Sequence, residues 1–212
     1  MRAFHGDSQI QARLIAQLRN HYERDEIVQG TYWQNGKGCA VGCTVHRADN
    51  PHALYPSLYG IPEQLAHLED RIFEGLPNSQ AKEFPLQFVM AISLAADLSL
   101  VWPRFAIWRL TDETHGVAQY ANDTTRPCIL RIAELYEQVV QGQDVAQSEF
   151  REAADAAEEA GAVEAAGAAD AAEEAWNASW ATAGAAGAAT TKAQFEIMAE
   201  KLLELLETAP LD

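Results

Sequence analysis

The sequence predicts a mainly α, multi-helix globular protein with one short β-hairpin near 27–46. Three observations carry this. Apolar residues recur at helical spacing in several successive segments. An Asn35-Gly36 pair sits between apolar runs, the strongest short-range hairpin signal. Alanine, the best helix former, supplies 39 of the 212 residues.

The elements follow in order. Residues 8–26 predict a helix: Asp7 or Ser8 can cap it, and Ile10, Leu14, Ile15 and Leu18 form its apolar stripe. In 27–46, β-branched and aromatic residues flank Asn35-Gly36, so a hairpin is expected, although Cys39 to Cys43 would also suit one or two helical turns. Pro51, Pro56 and Gly60 predict a loop over 47–61, where His52, Tyr55 and Tyr59 read as loop packing or as a lid. Pro62 suits the first position of a helix over 62–76 whose apolar face is Leu65, Leu68, Ile72, Phe73 and Leu76. A very apolar helix is expected over 79–98, with Pro85 tolerable only in its first turns. Trp102-Pro103 opens a helix to about Leu110, and Thr125, Arg126 and Pro127 open another that ends near Gly142.

Composition divides the chain into three expected parts: a helical core domain over 1–150, an Ala-rich acidic helical segment over 151–190, and an amphipathic helix over 191–212. The middle part holds three bulky apolar residues, Val163, Trp176 and Trp180. It carries AADAAEEA at 153–160 and again at 168–175. Two copies are too few for a solenoid, so this reads as duplicated helix-forming sequence. Its small faces would permit close approach to a neighbouring helix. In the last part Phe195, Met198, Leu202 and Leu206 make a stripe that must bury against the core or another subunit.

The formal net charge is −16, from 15 Lys+Arg and 31 Asp+Glu. Residues 144–212 hold 15 of the acids and three of the bases. The shortage of bases argues against a nucleic-acid partner and against an anionic membrane surface. The acidic third reads as a solvated helix face, or as a docking surface for a basic protein partner. No run approaches the ~20 apolar residues of a membrane span, and the first 26 residues lack the apolar core of a signal peptide. The expectation is a soluble cytoplasmic protein whose three cysteines, Cys39, Cys43 and Cys128, are thiols.

The densest cluster of chemistry is GTYWQNGKGCAVGCTVH at 30–46. It is no phosphate loop: five residues separate Gly30 from Gly36, and Gly38 follows Lys37 where a hydroxyl is needed. It is no dinucleotide fingerprint either, because Val41 stands at the third glycine position. As zinc ligands, Cys39, Cys43 and His46 would span about 10.5 Å along a helix, too far for one ion even with Cys128 as a fourth. On a strand His46 would point away from both cysteines. No metal and no cofactor are expected. As a nucleophile, Cys39 or Cys43 could be activated by His46 and Lys37. The other readings are that both thiols are packed core residues, or that the glycines line a binding loop without catalysis.

Elsewhere, Glu63, His67 and Asp70 share a helix face that reads as solvated. Trp33 and Lys37, with Arg104 and Trp108, are the candidate ligand-binding residues. Asp97, ending an apolar helix, needs a partner such as Arg104 or Arg71.

At GTYWQNGKGCAVGCTVH, LYGIPEQLAHLEDRIFEGLPN and ADLSLVWPRFAIWRL, the chain resembles a family of uncharacterised bacterial hypothetical proteins associated with phages and mobile elements such as integron cassettes. The resemblance spans about 30–142 and implies no activity or site. The functional expectation is a non-enzymatic small-molecule or partner-binding protein that self-associates as a homo-oligomer. The alternative is an enzyme or redox-sensitive protein using Cys39 or Cys43.

Overall fold

The computed structural model describes residues 2–161 and 192–211. It is mainly α with one two-stranded antiparallel sheet among the described residues. The chain divides into two compact units, Met1–Val101 with Thr191–Asp212, and Trp102–Thr190. Position 150, expected as a boundary from composition, therefore lies inside the second unit. Most of the Ala-rich segment, including the second octapeptide, Trp176 and Trp180, lies outside the described residues.

In the first unit, α1 (Ser8–Glu23) is capped by the Asp7 carboxylate, which accepts from the Gln9 N–H at 2.7 Å. Strands β1 (Trp33–Gln34) and β2 (Lys37–Gly38) pair with Trp33 opposite Gly38. Asn35 and Gly36 both take positive φ (53° and 83°), as a two-residue hairpin turn requires. The hairpin stops at Gly38, and Cys39 caps a short helix, α2 (Ala40–Val45). Both readings of this stretch are thus realised, one after the other. A 3-10 turn at His52–Leu54 and α3 (Tyr55–Tyr59) replace the expected loop.

Helices α4 (Glu63–Gly75) and α5 (Asn78–Ala91) follow, with Pro62 as the α4 cap rather than its first residue. Helix α5 stands at the centre of the unit. It touches α1, α2, α4 and the last described helix, α9 (Lys192–Glu207). Pro85 lies mid-helix and buried, beyond the first turns. Helix α5 ends at Ala91 instead of 98, because 95–98 is used as backbone for both chain ends. Ala3 N–H donates to Ala96 O at 3.0 Å and Asp97 N–H to Pro210 O at 2.8 Å. Within its unit Asp97 does not pair with Arg71. Its carboxylate accepts the Ser99 N–H at 3.0 Å.

The stripe on α9 is consumed within this unit. Phe195, Met198, Leu202 and Leu206 are all buried, and α9 packs on α4 and α5.

The second unit opens along α6 (Val101–Thr111), followed by α7 (Thr125–Val140) and α8 (Gln147–Glu159). Trp102 donates its indole N–H to Tyr136 Oη at 3.0 Å, and Tyr136 packs on Phe150. The first octapeptide lies on α8 and presents Ala153, Ala154 and Ala157 to the interior. These small side chains let α8 come close to α7, so that Cys128 Sγ lies 3.7 Å from Ala156 O. Among the described residues no helix is long and apolar enough to cross a membrane.

One close approach organises the first unit's hairpin. A Cβ at Gly42 would fall 1.4 Å from Tyr32 O, and one at Gly38 would fall 2.0 Å from it. Only glycine permits this contact. Gly42→Ala should destabilise the protein by about 2 kcal/mol or more through forced overpacking. Gly36→Ala, with open space but a positive φ, should cost about 1 kcal/mol. Denaturant unfolding of the two variants checks the order.

Candidate functional site

Helix α2 sets its two ends into two different polar clusters, both within the first unit. At its start, Cys39 is buried, and its Sγ accepts the Gly42 N–H at 3.5 Å. Opposite it lies α4, whose residues 63, 67, 70 and 74 recur at spacings of 4, 3 and 4 and so share one face. That face is not solvated at its middle. The His67 and Asp70 side chains are only 12% and 13% exposed. His52 Nε2 lies 3.1 Å from Asp70 Oδ2, and the His52 and His67 rings stack at 4.0 Å. Tyr32 meets His52 edge-on. Glu74 accepts the Gly30 N–H on both oxygens at 3.0 Å, while Gln29 caps the last carbonyls of α4.

The result is convergence. One donor atom each from Cys39, Asp70 and Glu74 lies within 4.8 Å of the other two. Asp70 Oδ1 is buried and has no hydrogen-bond partner among the described residues. Behind Asp70, Glu69 is fully buried. Its Oε2 accepts the Tyr55 hydroxyl at 2.7 Å, and its Oε1 has no hydrogen-bond partner among the described residues.

Burial dominates the protonation of this cluster. It pushes the Cys39 thiol far above its ordinary range, and the Asp70 charge pushes it further. Burial raises Glu69 to about 8 and lowers His67 to about 4. An unaided Cys39 is therefore a thiol and no thiolate nucleophile. Cys43 is equally buried. Its Sγ donates to Gly38 O at 3.3 Å, and burial takes it up to about 12. Cys43 is a packed residue of the helix.

At the other end of α2, His46 caps the helix in the left-handed region (φ 56°, ψ 38°), where a side chain costs about 1 kcal/mol. Its Nε2 lies 2.8 Å from His21 Nε2, and His21 Nδ1 lies 2.7 Å from Glu26 Oε2. The Trp33 indole stacks on the His46 ring at 4.5 Å. His21 is buried, continuing the Leu14, Leu18 stripe of α1 at spacings of 4 and 3. Glu26 is part-buried and His46 exposed. Burial, then the facing His21, lowers the His46 pKa, which keeps the imidazole neutral at pH 7.

The residues singled out in the sequence thus separate. Cys39 goes to the carboxylates, Cys43 to backbone carbonyls, and His46 with Trp33 to His21. The exposed Lys37 reaches the Asp25 carbonyl at 3.3 Å. Arg104 is exposed on α6 and Trp108 is part-buried beside Phe105 and His115, both in the second unit. Sequence reasoning missed His21, Glu26, Glu69 and Glu74. Two signals existed: a histidine on an apolar stripe, and an acid extending the 63, 67, 70 face by one more turn. No family model, curated protein or solved structure matches the chain.

Two outcomes are expected. In native protein at pH 8, an alkylating reagent should label Cys128, which is part-exposed, and leave Cys39 and Cys43 silent until unfolding, as read by mass spectrometry. Stability in chelator should fall as pH rises from 6.5 to 8. Glu69, raised from 4.5 to about 8, binds a proton in the folded state that the unfolded chain has released. The opposite contribution of His67, lowered from 6.5 to about 4, adds only about 0.4 kcal/mol above pH 6.5, less than Glu69 removes. Glu69→Gln should flatten the thermal midpoint across this window.

Proposed function

We propose that the chain is a metal-binding protein whose centre is Cys39, Asp70 and Glu74, taking a divalent ion of the zinc class. The observation that carries this reading is the convergence of one sulfur and two carboxylate oxygens within 4.8 Å. A tetrahedral ion with bonds of about 2.0–2.3 Å separates its donors by about 3.3–3.8 Å, so closure needs side-chain adjustments of about 1 Å. The mixed donor set selects a borderline ion over magnesium or calcium, which prefer all-oxygen shells.

Two further features support it. Asp70 has one buried oxygen without a hydrogen bond to any described residue and the other held by His52, the arrangement in which an outer histidine orients a ligating carboxylate. Burial disfavours the Cys39 thiolate in the free protein, whereas a bound cation supplies the charge that stabilises it. Cys39 then acts as a ligand and not as a nucleophile. Three protein ligands leave a fourth position for water or a small molecule. A small-molecule ligand of this protein would bind at that fourth position.

The test is titration of the chelator-stripped full chain with zinc chloride by calorimetry, and with cobalt chloride by absorption. One ion per chain should bind, and cobalt should give a sulfur-to-metal charge-transfer band. Cys39→Ser should abolish the band, and Asp70→Asn should weaken affinity at least tenfold. Absence of the band in the wild-type chain, or its survival in Cys39→Ser, would overturn the reading.

A further inference from the structure

The cluster at the far end of α2 has a use that does not depend on a metal. With both imidazole rings neutral, the hydrogen bonds there set where the protons sit. A carboxylate only accepts, so His21 Nδ1, 2.7 Å from Glu26 Oε2, carries a hydrogen. In the neutral ring that leaves His21 Nε2 as an acceptor. Its 2.8 Å contact with His46 Nε2 then requires the hydrogen to be on His46. His46 Nδ1 is left with a lone pair and makes no hydrogen bond with a described residue.

We propose that His46 is a catalytic nucleophile for acyl transfer, with His21 as its base and Glu26 as the residue that positions His21. The order of groups is that of an activated nucleophile: the attacking ring, a base in hydrogen-bond contact with it, and a third group orienting the base. Three structural features favour His46 as the reacting end. It is exposed, whereas His21 is buried. Trp33 covers one face of its ring at 4.5 Å and 21°, fixing the direction of the lone pair. Its backbone is held in the left-handed region by the helix end, with its N–H on Gly42 O at 2.8 Å.

The step balances within these residues. Nδ1 attacks the carbonyl carbon of an activated ester, and a C–N bond forms. The Nε2 proton passes to His21 Nε2, where Glu26 stabilises the resulting imidazolium. The ester C–O bond breaks and the oxygen departs as the anion, which an activated ester permits, while the proton on His21 returns to His46 Nε2 when water cleaves the acyl group. The product is a neutral N-acyl imidazole, which water hydrolyses to return free His46. The groups the structure places against His46 are uncharged or anionic, namely Trp33, His21 and, behind it, Glu26. This suits an uncharged carbonyl electrophile. A phosphoryl group would need cations to hold its oxygens.

His5 provides an internal reference. It is also exposed, and its Nε2 contacts the Ser57 carbonyl at 3.1 Å, so it has a hydrogen-bonded ring but no base. The experiment is site-resolved modification of the intact chain by diethyl pyrocarbonate, an activated acyl donor, followed by peptide mass spectrometry from pH 5 to 8. His46 should react at least tenfold faster than His5 at pH 7. Glu26→Gln should remove most of that advantage, leave the His5 rate unchanged and move the midpoint of the His46 profile to lower pH. Hydrolysis of p-nitrophenyl acetate should fall at least tenfold in His46→Gln. Equal rates at His46 and His5 in the wild-type chain would overturn the proposal, and this comparison needs no variant to fold. An advantage that persists in a folded Glu26→Gln chain would overturn it too.

Discussion

The contact between the Tyr32 carbonyl and the bare α-carbons of Gly38 and Gly42 is the constraint on which the first unit's chemistry depends. A Cβ on either glycine would lie within 2.0 Å of that oxygen. Strand β1 is thereby laid directly on β2 and the middle of α2. Alternation along the strand then sends Tyr32 toward His52 and Trp33 toward His21 and His46. Without this approach the hairpin would stand off, and neither aromatic would close its cluster.

Helix α2 has only six residues, yet it links the two clusters. Its first cap is a thiol facing α4, and its last cap is an imidazole facing α1. The rest of the unit holds it in place. Gln17 donates to the carbonyls of Cys43 and Thr44 at 2.7 and 2.9 Å, and Tyr59 donates to Thr44 O at 2.8 Å. These bonds satisfy backbone groups at the helix end that have no partner within the helix. They also orient the ring that follows. Local stability and the placement of His46 therefore share the same hydrogen bonds.

The two clusters differ in electrostatic character. Around Cys39 the carboxylates of Asp70 and Glu74 crowd a buried thiol, an arrangement with excess negative potential that a cation relieves. Around His46 a single part-buried carboxylate is matched to a chain of two imidazoles, which moves a proton without separating charge far. One helix thus carries a soft ligand at one end and a base-backed ring at the other. The distance along α2 that rules out joint ligation by Cys39, Cys43 and His46 is what allows the two ends to do different work.

Helix positions, the Asn35-Gly36 turn and the apolar stripes were legible in the chain, because periodicity and turn chemistry are local properties. The apolar stripe on α9 was legible in the same way. That α4 and α5 of the same unit supply the cover was decided by packing. The end of α5 at Ala91 was hidden, since it depends on both chain termini pairing with 95–98. The chemistry was legible only in its parts. Cys39, His46, Trp33 and the 63, 67, 70 face could each be named, but the partners that matter lie 25 to 35 positions away: Cys39 with Asp70 and Glu74, His46 with His21. Residue type and local spacing determine what a side chain can do. Only the tertiary structure decides which groups it meets and how far water is excluded from them, and here those two quantities separate a ligand, a packed thiol and a nucleophile.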